Sequence, residues 1–324
     1  MSRRNFVLGS AAAALLHALP VASRAAAYPE KAIHLVVAQS PGGGSDSIAR
    51  MLAEKISRPL GQPVVVENRV GASGTIGTEY GARAAPDGYS LLLGIAATHA
   101  SGPNYFKKVN YDPIRDFAPI TLVGTTPFIL LVNGNLPFRT VPELVGYAKK
   151  NPGKLSFTSI GDGSPHRFAG ELLKQAAGID MVHVPAKGAA PGLNDLLGGH
   201  VDMFFIDPFS ARSALATGRV RALASTSRER SAAMPDVPTL TELGYPIEHV
   251  GWYGMFAPAG TPRTIVERLN AEMVKAIRSP EMTELLTKLG THPSPTTPEE
   301  FAAFVKRDYD RWTKLTQTSG VERQ

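Results

Sequence analysis

The chain has 324 residues, of which 43% are hydrophobic and 19% are charged, and it contains no cysteine. This length exceeds what one ordinary core serves, so roughly two domains are expected, and the composition is that of a folded globular protein. The lack of cysteine excludes disulfide bonds, thiolate metal sites and a cysteine nucleophile.

The N-terminus has the pattern of an export signal. Arg3 and Arg4 precede an apolar run over residues 6–19, and three alanines at 25–27 supply a small-residue cleavage site. A membrane anchor is the alternative, but the run is shorter than the ~20 residues that a spanning helix needs. We predict a twin-arginine signal peptide over residues 1–27 and a periplasmic mature chain.

Removal of this signal changes the charge of the protein. Arg3, Arg4 and Arg24 leave with it and no acidic residue does, so the formal net charge of +6 falls to +3. A small positive charge fits an acidic small molecule better than nucleic acid, which requires a clustered basic face.

Three units of strand and loop come first along the mature chain. The apolar run 33–37 predicts a buried strand, the stretch SPGGGSD at 40–46 a loop, and Ile48, Leu52 and Ile56 one face of a helix. A second strand at 62–67 precedes another glycine-rich turn, and a third precedes the stretch AATH. The candidate binding residues of these loops are Gln39, Gly42, Gly43, Ser45, Asp46, Gly71, Ala72, Ser73, Thr98 and His99.

The same order of strand, glycine loop and helix recurs in the second half of the chain. A strand at 156–159 leads into the glycine loop 161–165 and a helix over 168–177, for which Ser164 is the predicted N-cap. Another strand at 182–184 precedes a second glycine turn. The candidate binding residues here are Ser159, Gly163, Ser164, His166, Lys187, Gly188 and Asp207.

Strands that alternate with helices predict an α/β fold with doubly wound, mostly parallel sheets, in which ligands bind beyond the carboxyl ends of the strands. Two apolar stretches, 120–132 and 252–257, are interpreted as crossings between two lobes. We expect residues 28–125 plus 250–324 to form lobe 1 and residues 126–249 to form lobe 2.

The glycine loops favour an anionic ligand, because bare backbone N–H groups at a helix N-terminus attract negative charge. Lys187 and Arg69, beside equivalent glycine turns, are either surface charges or ligand contacts. Asp207 is a turn residue, an acceptor for a ligand amine or hydroxyl, or a group that orients loop amides. His99 has either a structural or a binding role.

No strong catalytic motif is present. The sequence lacks a G-x-S-x-G elbow, a P-loop and an H-E-x-x-H zinc motif, and its eight histidines are scattered. We therefore predict no catalytic residue, no metal and no cofactor. An enzyme that uses Ser164, His166 and Asp207 on an acidic substrate is the alternative, but no carboxylate is placed to orient the histidine.

Taken together, the motifs resemble a known family, the Bug (TctC-like) periplasmic solute receptors of tripartite tricarboxylate transporters. The resemblance covers essentially the whole mature chain. The stretches that carry it are PGGGSD at 41–46, QPVVVENR at 62–69, GASG at 71–74, AAPDGY at 84–89, AGEL at 169–172, VHVP at 182–185, DLLGG at 195–199, PDVPT at 235–239 and APAGTP at 257–262.

This resemblance implies a type II-like periplasmic binding protein, in which two α/β lobes joined by two crossing strands close on an organic acid. Backbone amides and ordered water hold the ligand in the family. Three departures lie where ligand selectivity is set: Gln39 replaces an aromatic residue, Ile95-Ala96-Ala97 replaces a Ser-Asn-Gly-like run, and Arg167 replaces a histidine.

We therefore predict a monomeric receptor that captures a small carboxylated organic acid and delivers it to integral-membrane transporter subunits, without binding nucleic acid. A sensor that reports the ligand to a signalling partner is the alternative that the sequence leaves open, ahead of the enzyme.

Overall fold

The structure is a computed structural model, and it describes residues 28–318. The predicted signal peptide at 1–27 lies outside these residues. Within them, no helix combines the length and the apolar character that crossing a membrane requires.

The described chain alternates strands and helices along most of its length. The strands are β1 (Ile33–Val37), β2 (Val64–Asn68), β3 (Ser90–Ile95), β4 (Phe117–Pro127), β5 (Ile129–Asn133), β6 (Ser156–Ser159), β7 (Val182–Pro185), β8 (Met203–Ile206), β9 (Val220–Ser225), β10 (Val250–Pro258) and β11 (His292–Pro293). The helices are α1 (Gly44–Leu60), α2 (Thr75–Arg83), α3 (Gly102–Tyr105), α4 (Val141–Lys150), α5 (Pro165–Ala177), α6 (Ala189–Gly198), α7 (Pro208–Leu215), α8 (Arg263–Ile277), α9 (Pro280–Lys288) and α10 (Pro298–Thr318).

The strands form two sheets, and each sheet is the centre of one lobe. The sheet of lobe 1 has the order β11-β4-β10-β3-β1-β2, and that of lobe 2 has the order β7-β6-β8-β5-β9. The strands joined through helices, β1 to β3 and β6 to β8, pair in parallel. The crossing strands add antiparallel pairs, β10 with β3 and β4, and β5 with β8 and β9, so both sheets are mixed.

Both faces of the central strands are buried, which explains their nearly continuous apolar sequences. Leu35 of β1 lies in the core that contains Ile48 and Leu52 of α1, whereas its neighbour Val36 packs on the opposite face in a cluster with Trp252. Successive side chains of a strand point to opposite faces, so a single strand contributes to two cores.

The predicted first crossing, residues 120–132, is confirmed as extended chain but is divided between the two sheets. β4 ends at Pro127 and β5 begins at Ile129, so Phe128 alone separates them. The return crossing is β10, which begins directly after His249. The exact lobe limits, 28–125 plus 250–324 and 126–249, stay a prediction, because residues 319–324 lie outside the described chain.

The rings of Phe128 and His249 pack together at the crossings, with centroids 5.4 Å apart. His166 of α5 packs on Phe128 at 4.8 Å, and Trp312 of α10 packs on His249 at 5.3 Å. Trp312 also contacts Phe168 of lobe 2. We call these five residues the hinge ring cluster. Through it, the long C-terminal helix of lobe 1 reaches across to lobe 2.

Candidate functional site

The first glycine loop of lobe 1 is held from inside by Asp46, which is 4% exposed. Its carboxylate accepts hydrogen bonds from the backbone N–H of Gly42 (2.9 Å), from Arg50 Nε (2.9 Å) and from Asn68 Nδ2 (3.0 Å). The bond from Arg50, helped by those from Gly42 and Asn68, lowers the pKa of Asp46 to about 2 against the effect of burial. Asp46 therefore positions the loop, and its oxygens are already in use.

The tip of the same loop is open. Gly43 has an extended backbone, and a Cβ atom built there would find only the Ser40 carbonyl oxygen, at 3.6 Å. α1 begins at Gly44 without a side-chain cap, and Ser45 in its first turn is buried. The first N–H groups of a helix have no partner within it, so this end of α1 can receive an anion.

The second glycine turn of lobe 1 lies directly beside the first. Gly71, Ala72 and Gly74 all have positive φ values, and residues 72–74 form one 3₁₀ turn that contains Ser73. A Cβ atom on Gly74 would lie 3.0 Å from Thr98 Cγ2 and 3.1 Å from Gln39 Nε2. The structure thus brings together the three predicted loops of lobe 1.

The third predicted loop is not open, because residues 97–105 fold into one π-helical turn followed by α3. Thr98 and His99 are 1% and 0% exposed, and the His99 ring stacks on Phe256 at 4.2 Å. Burial lowers the pKa of His99 to about 3. These two side chains pack inside lobe 1, beneath its two glycine loops, and do not reach the protein surface. A structural role for His99 was one of the two roles expected, but the sequence does not show its burial, because the apolar rings that cover His99 are distant in the chain.

The glycine loop of lobe 2 is held by a different network. Ser159 Oγ donates to the Gly161 carbonyl oxygen (2.9 Å) and lies 2.8 Å from His183 Nε2. Arg167 Nη1 donates to Asp162 (3.0 Å). Gly163 packs against lobe 1, since a Cβ atom on it would lie 2.7 Å from Tyr105 Cδ1.

Ser164 stands at the predicted N-cap position of α5, but its hydroxyl does not cap the helix. It donates instead to the Gly161 carbonyl oxygen at 2.6 Å. The next candidate, His166, faces Phe128 in the hinge ring cluster, and burial lowers its pKa to about 3. The hydroxyl and the imidazole thus have separate partners, which is not the arrangement of a nucleophile and its base.

Two further candidates differ in exposure and in partners. Lys187 is exposed beside Gly188, where α6 begins without a side-chain cap. Asp207 is the N-cap of α7, and it accepts a hydrogen bond from the backbone N–H of Ser210 at 2.9 Å. The bond makes Asp207 a helix cap at the turn between β8 and α7, and its contact with a ligand stays a prediction. No hydrogen bond to its second carboxylate oxygen is found among residues 28–318.

The structure adds Tyr253, which sequence reasoning missed. Its hydroxyl oxygen lies 3.4 Å from the position of a Cβ atom on Gly44, at the N-terminus of α1. Burial raises the pKa of Tyr253, and the nearby charge of Asp207 raises it further, so the hydroxyl keeps its proton. In sequence Tyr253 is one member of an apolar run, and only the register of β10 directs it to this place.

The described residues contain no group of three or more histidine, aspartate or glutamate side chains that could hold a metal ion. What the site offers is backbone N–H groups at the ends of strands of both sheets, with a tyrosine hydroxyl between them. Such an arrangement binds an anion by hydrogen bonds.

Comparison with solved structures identifies the class first. The chain superimposes on the periplasmic binding protein BugD with a TM-score of 0.79 and 39% identity, covering 92% of this chain and 100% of BugD. It superimposes on an R. palustris protein solved with adipate (TM-score 0.83, 33% identity, 91% and 99% coverage) and on MatC from Rhodopseudomonas palustris solved with malate (TM-score 0.78, 33% identity, 89% and 99% coverage). The predicted two-lobed binding-protein fold is confirmed.

Residues 48–321 match the model of the tripartite tricarboxylate transporter family receptor. The chain belongs to this family, as its motifs indicated, and it is a solute-binding receptor of such a transporter. Receptors of this kind work with membrane subunits and are periplasmic binding proteins.

Proposed function

We propose that this receptor captures a small organic acid between its lobes and holds a carboxylate of that ligand through backbone N–H groups. The proposal rests on how the helices after the glycine loops begin. α1, α2, α5 and α6 follow the glycine loops of the two lobes, and none of them has a side-chain cap. By contrast, Thr140 caps α4, Asp207 caps α7 and Ser279 caps α9. α8 also begins without a side-chain cap, but the residue before it is Pro262, which has no side-chain acceptor.

An uncapped helix start leaves donors free for a ligand. Charge-assisted hydrogen bonds of this type contribute roughly 1.5–3 kcal/mol each, and the helix dipole adds about 0.3–2 kcal/mol depending on burial. The two solved relatives contain adipate and malate, which are both dicarboxylates. These ligands support a carboxylate as the ligand of this chain.

The direct test is a thermal-shift screen of the mature protein against adipate, malate, succinate and aspartate. A ligand that binds only the native state raises the melting temperature, because it stabilises that state by RT ln(1 + [L]/Kd). At least one carboxylate is expected to shift it, and isothermal titration then gives the Kd. If no carboxylate raises the melting temperature, the carboxylate proposal is wrong.

The proposal includes binding without turnover, since Ser164 and His166 have separate partners. The ligand is expected to return chemically intact after long incubation. Steady product formation that is lost in Ser164→Ala would establish the enzyme instead. Delivery to membrane subunits is favoured over a sensor because the matching family consists of transporter receptors.

Export, oligomeric state and lobe closure belong to the same proposal. Lysine in place of Arg3 and Arg4 is expected to leave the precursor in the cytoplasm, because twin-arginine export depends on both.

Two lobes joined by short connections close as rigid bodies. Small-angle scattering should show a monomer whose radius of gyration decreases at saturating ligand, and an unchanged profile would exclude closure.

A further inference from the structure

The base of the cleft carries two polar side chains whose partners are incomplete, Tyr253 and Asp207. Tyr253 belongs to lobe 1 and approaches Gly44. Asp207 belongs to lobe 2 and directly follows β8. Beyond the loop amides, these two side chains bear on which carboxylates the cleft accepts.

The strand registers place both residues next to the crossings. Ile206, which precedes Asp207, pairs with Ile129, two residues after the end of β4. Val250 at the start of β10 pairs with Pro127 at that same end, and Tyr253 follows three residues later. The two side chains therefore belong to the base of the cleft, one on each lobe.

The two groups differ in what they offer. The Tyr253 hydroxyl keeps its proton and makes no hydrogen bond within residues 28–318, so it is available as a donor beside the first turn of α1. Asp207 uses one oxygen to cap α7, and its carboxylate offers further lone pairs. A tyrosine donor suits a carboxylate, whereas an aspartate acceptor suits a hydroxyl or an ammonium group.

A fixed carboxylate also discriminates by charge. An anionic group brought close to Asp207 is repelled, and in a closed cleft this repulsion is little screened.

We infer that the receptor selects carboxylates that carry a hydroxyl or amino group, with Tyr253 donating to the carboxylate and Asp207 accepting from the substituent. Asp207 and Tyr253 are then the residues that determine ligand specificity. This inference rests on the proposed carboxylate function and narrows it to hydroxy and amino acids of small size.

The experiment measures Kd by isothermal titration for matched ligands: succinate, its hydroxyl derivative malate and its amino derivative aspartate. Adipate and 2-aminoadipate repeat the comparison at greater length. Malate or aspartate is expected to bind at least about tenfold more tightly than succinate, which corresponds to about 1.4 kcal/mol. 2-Aminoadipate should likewise bind more tightly than adipate.

Three variants assign the effect to residues. Asp207→Asn keeps the cap of α7, since asparagine caps helices as well as aspartate does. It removes the charge, so the affinity for aspartate should fall about tenfold and that for succinate should rise. Tyr253→Phe keeps the ring and should weaken all the carboxylates together. Asp236→Asn makes the same change in net charge at an exposed position and should leave all affinities unchanged.

The outcomes distinguish a failure of the proposed function from a failure of the selectivity inference. If no carboxylate binds, the proposed function itself is wrong. If carboxylates bind but succinate equals malate and aspartate, the function stands and the selectivity inference is overturned. If the preference exists but persists in Asp207→Asn, the assignment to Asp207 is overturned.

Discussion

The glycine loops of the two lobes share a sequence pattern but use their glycines for different reasons. At Gly43 in lobe 1 a side chain would project into open space, with only the Ser40 carbonyl oxygen within reach. At Gly163 in lobe 2 it would collide with Tyr105 of lobe 1. One glycine keeps a helix start accessible to a ligand, and the other permits two lobes to touch. A repeated motif therefore does not imply a repeated role.

The largest expected effect comes from filling the packed glycine. In Gly163→Val the new side chain meets the buried ring of Tyr105 at under 3 Å, and overpacking of this kind costs roughly 1–3 kcal/mol. The melting temperature should therefore drop by several degrees. Gly146→Val in α4, where nothing lies within 4 Å, is the matched control. Equal melting temperatures for the two variants would mean that the contact with Tyr105 is unimportant.

The next effect concerns the carboxylate that holds the loop of lobe 1. Asp46→Ala removes the acceptor of the Gly42 N–H and of the Asn68 side chain, and because both groups are only part-buried, water replaces it in part and the loss is roughly 1 kcal/mol. We expect a loss of stability together with at least about tenfold weaker ligand binding. Asp236→Ala is the control at an exposed position. Normal ligand affinity in Asp46→Ala would show that the loop does not need this support.

Filling the open glycine should separate binding from stability. Gly43→Val obstructs the approach of a carboxylate to α1, so the affinity should fall at least about tenfold, or 1.4 kcal/mol, while circular dichroism and melting temperature stay unchanged. Lys187→Ala tests the opposing model, in which a side-chain cation holds the anion. Loss of binding in Lys187→Ala combined with normal binding in Gly43→Val would replace the backbone model with a lysine clamp.

The smallest effect is the share of the pH dependence of stability that comes from His183, in the network of lobe 2. Burial, and then the charge of Arg167, lower the pKa of His183 to about 4 from an unfolded value of about 6.5. The unfolded state therefore binds more protons between these values, so stability is complete above pH 6.5 and is lost as pH falls toward 4.

His183→Gln retains a hydrogen-bonding group near Ser159 and removes this titration. The free energy of unfolding of this variant, measured by urea denaturation between pH 7.5 and 5, should fall less steeply with decreasing pH than that of the wild-type protein. The two slopes should differ by at most the contribution of one bound proton. Asp46, with a pKa of about 2, stays ionised throughout this range, so lobe 1 contributes no such change at this loop. Parallel curves for the two proteins would contradict the prediction.

The sequence predicted local features well and long-range roles poorly. The strand at 33–37, the helix after the glycine loop and the two crossings depend on periodicity and turn residues, which are local. The role of Asp46 depends on Asn68, 22 positions away, and the closed conformation of residues 97–105 depends on Phe256.

The missed tyrosine shows the same limit. Tyr253 reaches the cleft only through the register of β10 against β3 and β4, which no apolar run specifies. Ser164 was placed correctly at the start of α5, but its hydroxyl donates to the Gly161 carbonyl oxygen and accepts no hydrogen bond from the helix. Angstrom-scale geometry decides which of several nearby groups forms a hydrogen bond, and a single sequence does not contain that geometry.

The hinge ring cluster has a consequence for how the protein unfolds. Trp312 is fully buried between Phe168 of lobe 2 and residues such as Ala100 and Tyr105 of lobe 1, so one small core belongs to both lobes. Neither lobe can unfold without exposing it. Although the chain has two sheets, we therefore expect a single cooperative calorimetric transition, whose van't Hoff and calorimetric enthalpies agree. Trp312→Ala should divide that transition into two, one for each lobe.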